Sequence, residues 1–295
     1  TELYHSQKSV DEGWAQVISD FKEAASRLPV TYDDVTGLDK GNTGRATKGA
    51  AQAYLGKAYL FTKDYANAKI QFENVINSGA YSLVANYSDN FTDVNENNSE
   101  SIFEIQFSRT LGGADLGWIG APGSSWGKYS ARAVTYGPPG FGFNDMQPTK
   151  ALFDEFQQEK TTTGDVDPRL DATIFYNAPH VKLYGVLFSQ YYANNTALLN
   201  GYYSKKYENS DGRFANEYDW RSGINERLMR YADVLIMYAE CLNELGSTQQ
   251  AYTFIQRVRD RSKLPDLATV KPNMTQAQMR DQIAHERFLE FACEG

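Results

Sequence analysis

Two stretches of the chain repeat apolar and small positions with the spacing of two packed helices. In the first stretch, residues 50–80, these positions are Leu55, Gly56, Tyr59, Ala68, Phe72 and Val75. Asp64 can cap the second helix, and Ser78-Gly79 supplies a helix stop. Because Gly56 and Ala68 are small, two antiparallel helices can approach closely at these positions. The pattern predicts a tetratricopeptide-like helical hairpin.

A second copy of the pattern covers residues 230–262. Its helix-face positions are Leu235, Tyr238, Ala239, Leu242, Ala251, Ile255 and Val258. A half copy precedes the first hairpin at residues 17–29, and a last helix is predicted over about 276–293 with a capping box at Thr275 and Gln278. Rings on these helix faces are expected in the core, and they are Tyr59, Phe72, Tyr238 and Phe288.

Residues 81–224 lose the helical period almost entirely. The run 101–107 alternates, which predicts a short strand with Phe103, Ile105 and Phe107 on one face. Residues 149–158 predict a short helix, and 182–192 and 202–207 fit strands or extended loops. Such long irregular segments in a compact protein usually carry function.

The predicted fold is therefore mainly α, a tetratricopeptide-like hairpin scaffold with long loop-rich inserts and a few short strands. We expect one domain over residues 1–295. Its helical scaffold is formed by 1–80 and 225–295, and its insert, residues 81–224, bears the ligand face.

The charge balance argues against a nucleic-acid partner. The chain has 295 residues, a net charge of -8 and a pI of about 5.0, whereas a phosphate-tracking surface needs clustered Lys and Arg. Arg257, Arg259 and Arg261 are interrupted by Asp260, and their spacing predicts a solvated helix face with local ion pairs. No apolar run is long enough to predict a membrane-spanning helix.

Aromatic residues make up 14% of the chain, and many lie in Gly- and Asn-rich connecting segments. A Trp or Tyr face can pack on the C–H face of a sugar ring while nearby polar groups bind its hydroxyls. The candidate ligand-binding residues are Trp118, Trp126, Tyr136, Phe141, Phe143 and Trp220. The alternative is that these rings pin the long loops to the scaffold.

The sequence supports a catalytic or metal-binding function less well than it supports ligand binding. Glycoside hydrolysis needs two carboxyls at a set separation, and Asp165, Asp167 and Asp171 cluster in sequence, but Asp167-Pro-Arg169 equally fits a turn with an ion pair. A second acidic group comprises Glu208, Asp211, Glu217 and Asp219. We therefore assign no catalytic residue.

No metal ligand or cofactor is assigned from the sequence either. His285-Glu286 lacks the second histidine of a zinc motif, because residue 289 is Leu. Cys241 and Cys293 are expected to be buried free thiols. The acidic loops leave a calcium site open, although no EF-hand spacing is present.

Several segments, in order, resemble the SusD/RagB family over nearly the whole chain. They are Arg45-Ala-Thr-Lys-Gly-Ala-Ala51 with the hairpin that follows, Asp167-Pro-Arg-Leu170, Arg230-Tyr-Ala-Asp-Val-Leu-Ile-Met-Tyr-Ala-Glu240, Ile255-Gln-Arg-Val-Arg259 and His285-Glu-Arg287. The resemblance implies a non-catalytic, lipid-anchored protein of the bacterial outer-membrane surface. Such proteins bind oligosaccharide or peptide nutrients and pass them to a SusC-like TonB-dependent transporter. Family members carry more sequence at both ends, so the chain is expected to be a fragment of a longer protein.

Two other functions remain open from the sequence. Helical-repeat arrays also bind peptide tails on a concave surface, which would make the protein an interaction scaffold. A glycan-cleaving enzyme is the other alternative. Exposed rings on the insert favour a small-molecule ligand, and a hydrolysis assay separates a binder from an enzyme.

Overall fold

Helices dominate the computed structural model, which describes residues 7–111, 127–208 and 221–294. The α-helices of these ranges are α1 (Val10–Arg27), α2 (Lys48–Phe61), α3 (Tyr65–Asn77), α4 (Arg132–Tyr136), α5 (Lys150–Gln158), α6 (Arg169–Thr173), α7 (Phe188–Tyr191), α8 (Thr196–Leu199), α9 (Tyr231–Glu244), α10 (Thr248–Arg261), α11 (Leu267–Val270) and α12 (Gln276–Glu290). The strands are β1 (Ser101–Ile105), β2 (Ile174–Phe175), β3 (Lys182–Leu183), β4 (Val186–Leu187), β5 (Tyr203–Ser204) and β6 (Glu226–Arg230).

Both predicted hairpins form, α2 with α3 and α9 with α10, which confirms the tetratricopeptide-like scaffold. Asp64 caps α3 by accepting from the Asn67 backbone N–H. Gly56 is buried against the Phe72 ring, and a Cβ at residue 56 would lie 2.5 Å from it. The other small positions at the helix contacts are fully buried: Ala68, Ala239 and Ala251. Small residues thus set the helix separation, as their spacing predicts.

The two hairpins stack directly on each other, although the whole insert separates them in sequence. Helix α3 packs against α9, α12 covers the other side of α9, and α1 packs on α2 through ring pairs such as Phe21 with Tyr54 at 5.6 Å. The largest hydrophobic core lies between these helices. Tyr59, Phe72 and Tyr238 are buried there as expected, but Phe288 is 48% exposed. The prediction for Phe288 was wrong, because α12 turns that position away from α9.

Strands β1 and β6 pair antiparallel where the chain leaves and re-enters the scaffold. The predicted strand exists over Ser101–Ile105. Ile102 and Glu104 are buried, whereas Ile105 is 42% exposed. Two register shifts break the simple alternation, and Glu104 can be buried because Arg227 of β6 lies 3.1 Å away.

The insert forms two further short antiparallel pairs, β2 with β5 and β3 with β4. Strands β3, β4 and β5 lie in the segments that the sequence leaves as strands or extended loops, whereas β2 lies outside them. Aromatic rings of this region pack into a core of their own, which includes Phe175, Phe188, Tyr192 and Tyr203. The insert is therefore a packed structure in the ranges described.

A buried set of charged side chains joins the insert to the scaffold, and we call it the charge cluster. Its members are Glu100, Asp167, Arg169, Lys206, Arg230, Arg259, Arg261, Glu286, Glu290 and Glu294. Arg169 of α6 pairs with Asp167 at 2.7 Å, which confirms the turn with an ion pair, and with Glu286 of α12 at 2.6 Å. Each buried charge has opposite charges beside it, as burial requires.

The charge cluster overturns one expectation. Arg259 and Arg261 do form ion pairs, but their side chains are 1% and 3% exposed, not solvated. Burial alone would raise the pKa of Glu290, yet Arg261, Arg230 and Arg169 outweigh it and lower that pKa to about 2. Burial lowers the pKa of Lys206 to about 8 in spite of Glu294 beside it.

No helix among the described residues has the length and apolar character needed to cross a bilayer.

Candidate ligand-binding surface

A tight turn at residues 137–143 carries two of the predicted ligand-binding rings. The chain folds back so that the Phe143 N–H donates to the Val134 carbonyl at 2.8 Å and the Asn144 N–H donates to the Gly137 carbonyl at 3.1 Å. A Cβ at Gly142 would lie 2.5 Å from the Val134 oxygen, so glycine is needed for this approach. The turn leaves Phe143 60% exposed and Phe141 half-buried.

Phe141 stacks with two tyrosines that come from other parts of the insert. Its ring centroid lies 4.4 Å from that of Tyr184, with 29° between the planes, and 4.8 Å from that of Tyr191. We call Phe141, Tyr184 and Tyr191 the aromatic platform. Tyr191 is 39% exposed and Tyr184 is half-buried, so the group is open to solvent on part of its surface.

Tyr184 reaches the platform from the hairpin of β3 and β4. The two residues between these strands, Tyr184 and Gly185, have φ angles of 46° and 89°, as a two-residue hairpin turn requires. The Tyr184 hydroxyl donates to Glu208 Oε2 at 2.7 Å. Because Glu208 is 7% exposed, this hydrogen bond fixes the ring against the packed part of the insert.

Tyr191 and its neighbour Tyr192 have different environments. Tyr192 is buried and its hydroxyl donates to the Pro139 carbonyl at 2.7 Å, which ties α7 to the turn that carries Phe141. Burial raises the pKa of Tyr192, so its hydroxyl keeps its proton at neutral pH. Tyr191 lies over Gly140, where a Cβ would meet its hydroxyl at 2.5 Å.

Tyr136 is the remaining predicted ligand-binding residue that the structure describes. The Tyr136 ring, at the end of α4, faces the Arg132 guanidinium at 5.3 Å, and the same guanidinium covers Tyr207 at 4.2 Å. Trp118, Trp126 and Trp220 lie outside the described residues.

Sequence reasoning missed Tyr184 and Tyr191. A Tyr-Gly pair between two short apolar runs, Tyr184-Gly185, is the signal that could have indicated an aromatic on a hairpin turn.

Asp167 and Asp171, considered for catalysis, have structural contacts, whereas Asp211, Glu217 and Asp219 lie outside the described residues. Asp167 is fully paired with Arg169. Asp171 accepts from the Tyr176 hydroxyl at 2.8 Å and contacts His180 Nε2 at 3.0 Å. Over residues 7–111, 127–208 and 221–294, no three His, Cys, Asp or Glu side chains are grouped so as to hold a metal ion.

Stacked helical hairpins that carry a loop-rich insert with exposed rings define a helical repeat-scaffold protein. The chain belongs to the SusD family, whose model matches residues 99–295.

Known relatives agree with this assignment. A SusD-like protein, P25, from Formosa agariphila is 26% identical over 94% of this chain and 52% of its own length. A SusD superfamily structure from Bacteroides vulgatus has a TM-score of 0.76 at 29% identity, covering 96% of this chain and 55% of the other. The chain thus spans about half the length of these relatives.

A third neighbour shares the fold alone. It is surface glycan-binding protein A from Bacteroides thetaiotaomicron in complex with laminarihexaose. Its TM-score is 0.70 at 21% identity, over 98% of this chain and 60% of the other.

Proposed function

We propose that this protein binds oligosaccharide at the aromatic platform without chemically changing it. The observation that carries the proposal is the stack of Phe141 on Tyr184 and Tyr191, partly open to solvent and held by two partly buried tyrosine hydrogen bonds. Ring faces in such a group pack well on the C–H face of a sugar. Phe143, two residues along the same turn, extends the exposed aromatic surface.

Further support comes from the family and from fold neighbours. A neighbour with the same fold is a glycan-binding protein in complex with laminarihexaose. We therefore favour oligosaccharide over peptide as the ligand, and propose that Trp118, Trp126, Trp220 and Tyr136 assist. The exposed rings lie on the insert, which favours a small ligand over the protein-interaction scaffold as the function.

We also propose delivery of the bound ligand to a SusC-like TonB-dependent transporter from a lipid-anchored position at the outer-membrane surface. Membership of the SusD family supports this role. Co-purification of the lipid-anchored protein with such a transporter tests it, and a protein recovered in the soluble fraction without a transporter would contradict it.

Isothermal titration with laminarihexaose, other oligosaccharides and a control peptide tests the platform. Phe141→Ala and Tyr191→Ala should each weaken oligosaccharide binding by about tenfold, since an aromatic contact contributes roughly 1 kcal/mol beyond its buried area. Phe61→Ala is the matched control, because Phe61 is 67% exposed on α2 and stacks on Trp14 away from the insert.

Equal loss of affinity in the Phe61 variant, or full affinity in both platform variants, would rule out the platform as the site. If the protein bound the control peptide and none of the oligosaccharides, the ligand would be a peptide and not an oligosaccharide. Chromatography of the oligosaccharide after long incubation should recover it intact, and shorter products would indicate an enzyme.

A further inference from the structure

A second opening lies between the insert and the end of α10, and we call it the polar cavity. Its volume is about 680 Å³, within the range of small-molecule sites. The walls come from residues 85–92, from the turn at 161–166, from α6, from residues 205 and 208, and from residues 261–263. The Thr162 N–H donates to the Lys263 carbonyl at 2.9 Å, so the turn is fixed to the end of α10.

One wall of the polar cavity is a chain of ordered hydroxyls ending at a carboxylate. Thr161 Oγ1 and Thr163 Oγ1 are 3.0 Å apart, and Thr163 donates to Asp165 Oδ2 at 2.7 Å. The Asp165 N–H donates back to Thr161 Oγ1 at 3.0 Å. Because Thr163 gives its proton to Asp165, Thr161 is the donor to Thr163. The hydroxyl orientations are therefore set before any ligand binds.

Another part of the lining supplies an ammonium group held by a main-chain carbonyl. Lys205 Nζ donates to the Asp171 carbonyl at 2.5 Å and lies 5.5 Å from the Phe175 ring centroid. The lining has three cationic side chains, Lys205, Arg261 and Lys263, and three carboxylates, Asp165, Asp171 and Glu208, so its charges balance. Ser262, which is 1% exposed, also borders the polar cavity, and its Oγ has no hydrogen-bond partner among the described residues.

The floor of the polar cavity leaves little ring surface for stacking. Tyr87 and Phe91 lie there, but Lys206 covers both rings, at 4.9 and 4.6 Å, and Arg261 also faces Tyr87 at 4.9 Å. The Tyr87 hydroxyl already donates to the Glu290 carbonyl. A ligand would therefore be recognised through hydrogen bonds, unlike a ligand on the aromatic platform.

We propose that the polar cavity is a second saccharide site, separate from the platform, that takes a mono- or disaccharide through hydrogen bonds. Closely spaced donors and acceptors with balanced charge suit a neutral, hydroxyl-rich molecule. A peptide fits less well, because Lys206 covers the two rings of the lining, Tyr87 and Phe91, so that they cannot hold an aromatic side chain. The site goes beyond the proposed function and does not depend on it.

Titration of the protein with maltose, laminaribiose and glucose, followed by NMR saturation transfer, tests the polar cavity. Sugars at roughly 50 mM detect even a millimolar Kd. Ala85→Trp should abolish the signal by filling the opening, since Ala85 is an exposed wall residue. Asp165→Asn should weaken binding by about tenfold, as expected for a lost hydrogen bond to a charged group.

Two control variants distinguish binding in the polar cavity from a general charge effect and from binding at the platform. Asp154→Asn removes the same charge from an exposed ion pair on α5 and should leave binding unchanged. Phe141→Ala should weaken laminarihexaose binding while short sugars still bind. Thr163→Val replaces Asp165→Asn if that variant fails to fold, and a soaked crystal should show the sugar between Thr163 and Lys205.

Three results would overturn the proposal. The first is the absence of a saturation-transfer signal from all three sugars with the folded protein. The second is binding of a dipeptide when none of the sugars binds. The third is loss of short-sugar binding in Phe141→Ala with binding intact in Ala85→Trp, which would assign a single site at the platform. If the platform variants kept full affinity for laminarihexaose while short sugars still bound in the polar cavity, only the proposed function would be contradicted.

Discussion

Among single residues, Gly140 is the one on which the geometry of the aromatic platform depends most. Its φ of 95° lies in the left-handed region that disfavours other residues, and the space where a Cβ would stand holds the Tyr191 hydroxyl. Backbone conformation and available space therefore both require glycine. Since the next residue is Phe141, any shift here moves the ring at the centre of the stack.

Gly140→Ala should therefore lower the free energy of unfolding by about 1–2 kcal/mol and weaken oligosaccharide binding. Urea denaturation and titration calorimetry measure the two effects. Gly246→Ala isolates the backbone part, because Gly246 has a φ of 80° and open space around it at the end of α9. If both variants bound oligosaccharide equally well, the contact with Tyr191 would have no part in the site.

The sequence could predict Phe141 and Phe143 as candidate rings but not their partners. A Gly/Pro-rich segment with aromatics marks an exposed turn, and residue spacing alone is enough to see it. Tyr184 and Tyr191 come from a hairpin and a short helix about 45 residues further along the chain. Their approach depends on long-range contacts, such as Tyr192 with Pro139, that no local pattern encodes.

At the scale of helices, the contact between Gly56 and Phe72 sets how closely α2 and α3 approach. Gly56→Ala places a methyl group 2.5 Å from a ring that is fully buried. We expect a loss of about 1–3 kcal/mol in unfolding free energy, because overpacking outweighs the better helix propensity of alanine.

Gly13→Ala is the matched change, since Gly13 lies in α1 with nothing within 4 Å of the added carbon. It should stabilise the protein by up to about 1 kcal/mol. Thermal unfolding followed by circular dichroism compares the two variants. If both variants were more stable than the unmodified protein, the methyl group added at residue 56 would cost no packing energy. That result would contradict close packing between α2 and α3.

The hairpins were predictable because their signals are local: caps, apolar spacing and small residues all lie within 30 residues of one another. The burial of Glu104 in β1 and the environment of Arg259 and Arg261 were not predictable in this way. Glu104 is buried only because Arg227 lies opposite, and Arg261 is buried only because Glu100 and Glu290 surround it. Partners so distant in sequence leave no local signal.

For the molecule as a whole, the charge cluster connects insert and scaffold beside a small apolar core that includes Phe156 of α5 and Leu289 of α12. We propose on this basis that residues 1–295 form one domain. Arg169 and Lys206 come from the insert, whereas Glu286, Glu290 and Glu294 follow one another on and just after α12. Separating the two parts would leave several buried charges without partners.

Glu290→Gln should cost about 3–5 kcal/mol of stability, the usual effect of removing one partner from a buried ion pair. It should also lower the protection of insert residues from hydrogen exchange. Asp154→Asn, in the exposed pair with Lys150, should cost no more than about 0.5 kcal/mol. Unchanged exchange in the insert would contradict the idea of a single domain.

Low pH should destabilise the protein because it protonates Glu290. The native pKa of Glu290 is about 2, below the value of about 4.3 for an unfolded chain. Its contribution to stability is therefore fully present above pH 4.3 and lost as the pH falls towards 2. Unfolding free energy measured across this range should fall less steeply in Glu290→Gln. An identical slope would exclude Glu290 as a cause.

The pairing of β1 with β6 has a further consequence for how such a protein can diversify. Because the segment between the two strands starts and finishes at neighbouring points, its length and composition do not alter the spacing of the stacked hairpins. A replacement segment has to close onto the same ribbon and supply cations equivalent to Arg169 and Lys206. Given those two conditions, we expect that inserts of different sequence could join to the same stacked hairpins.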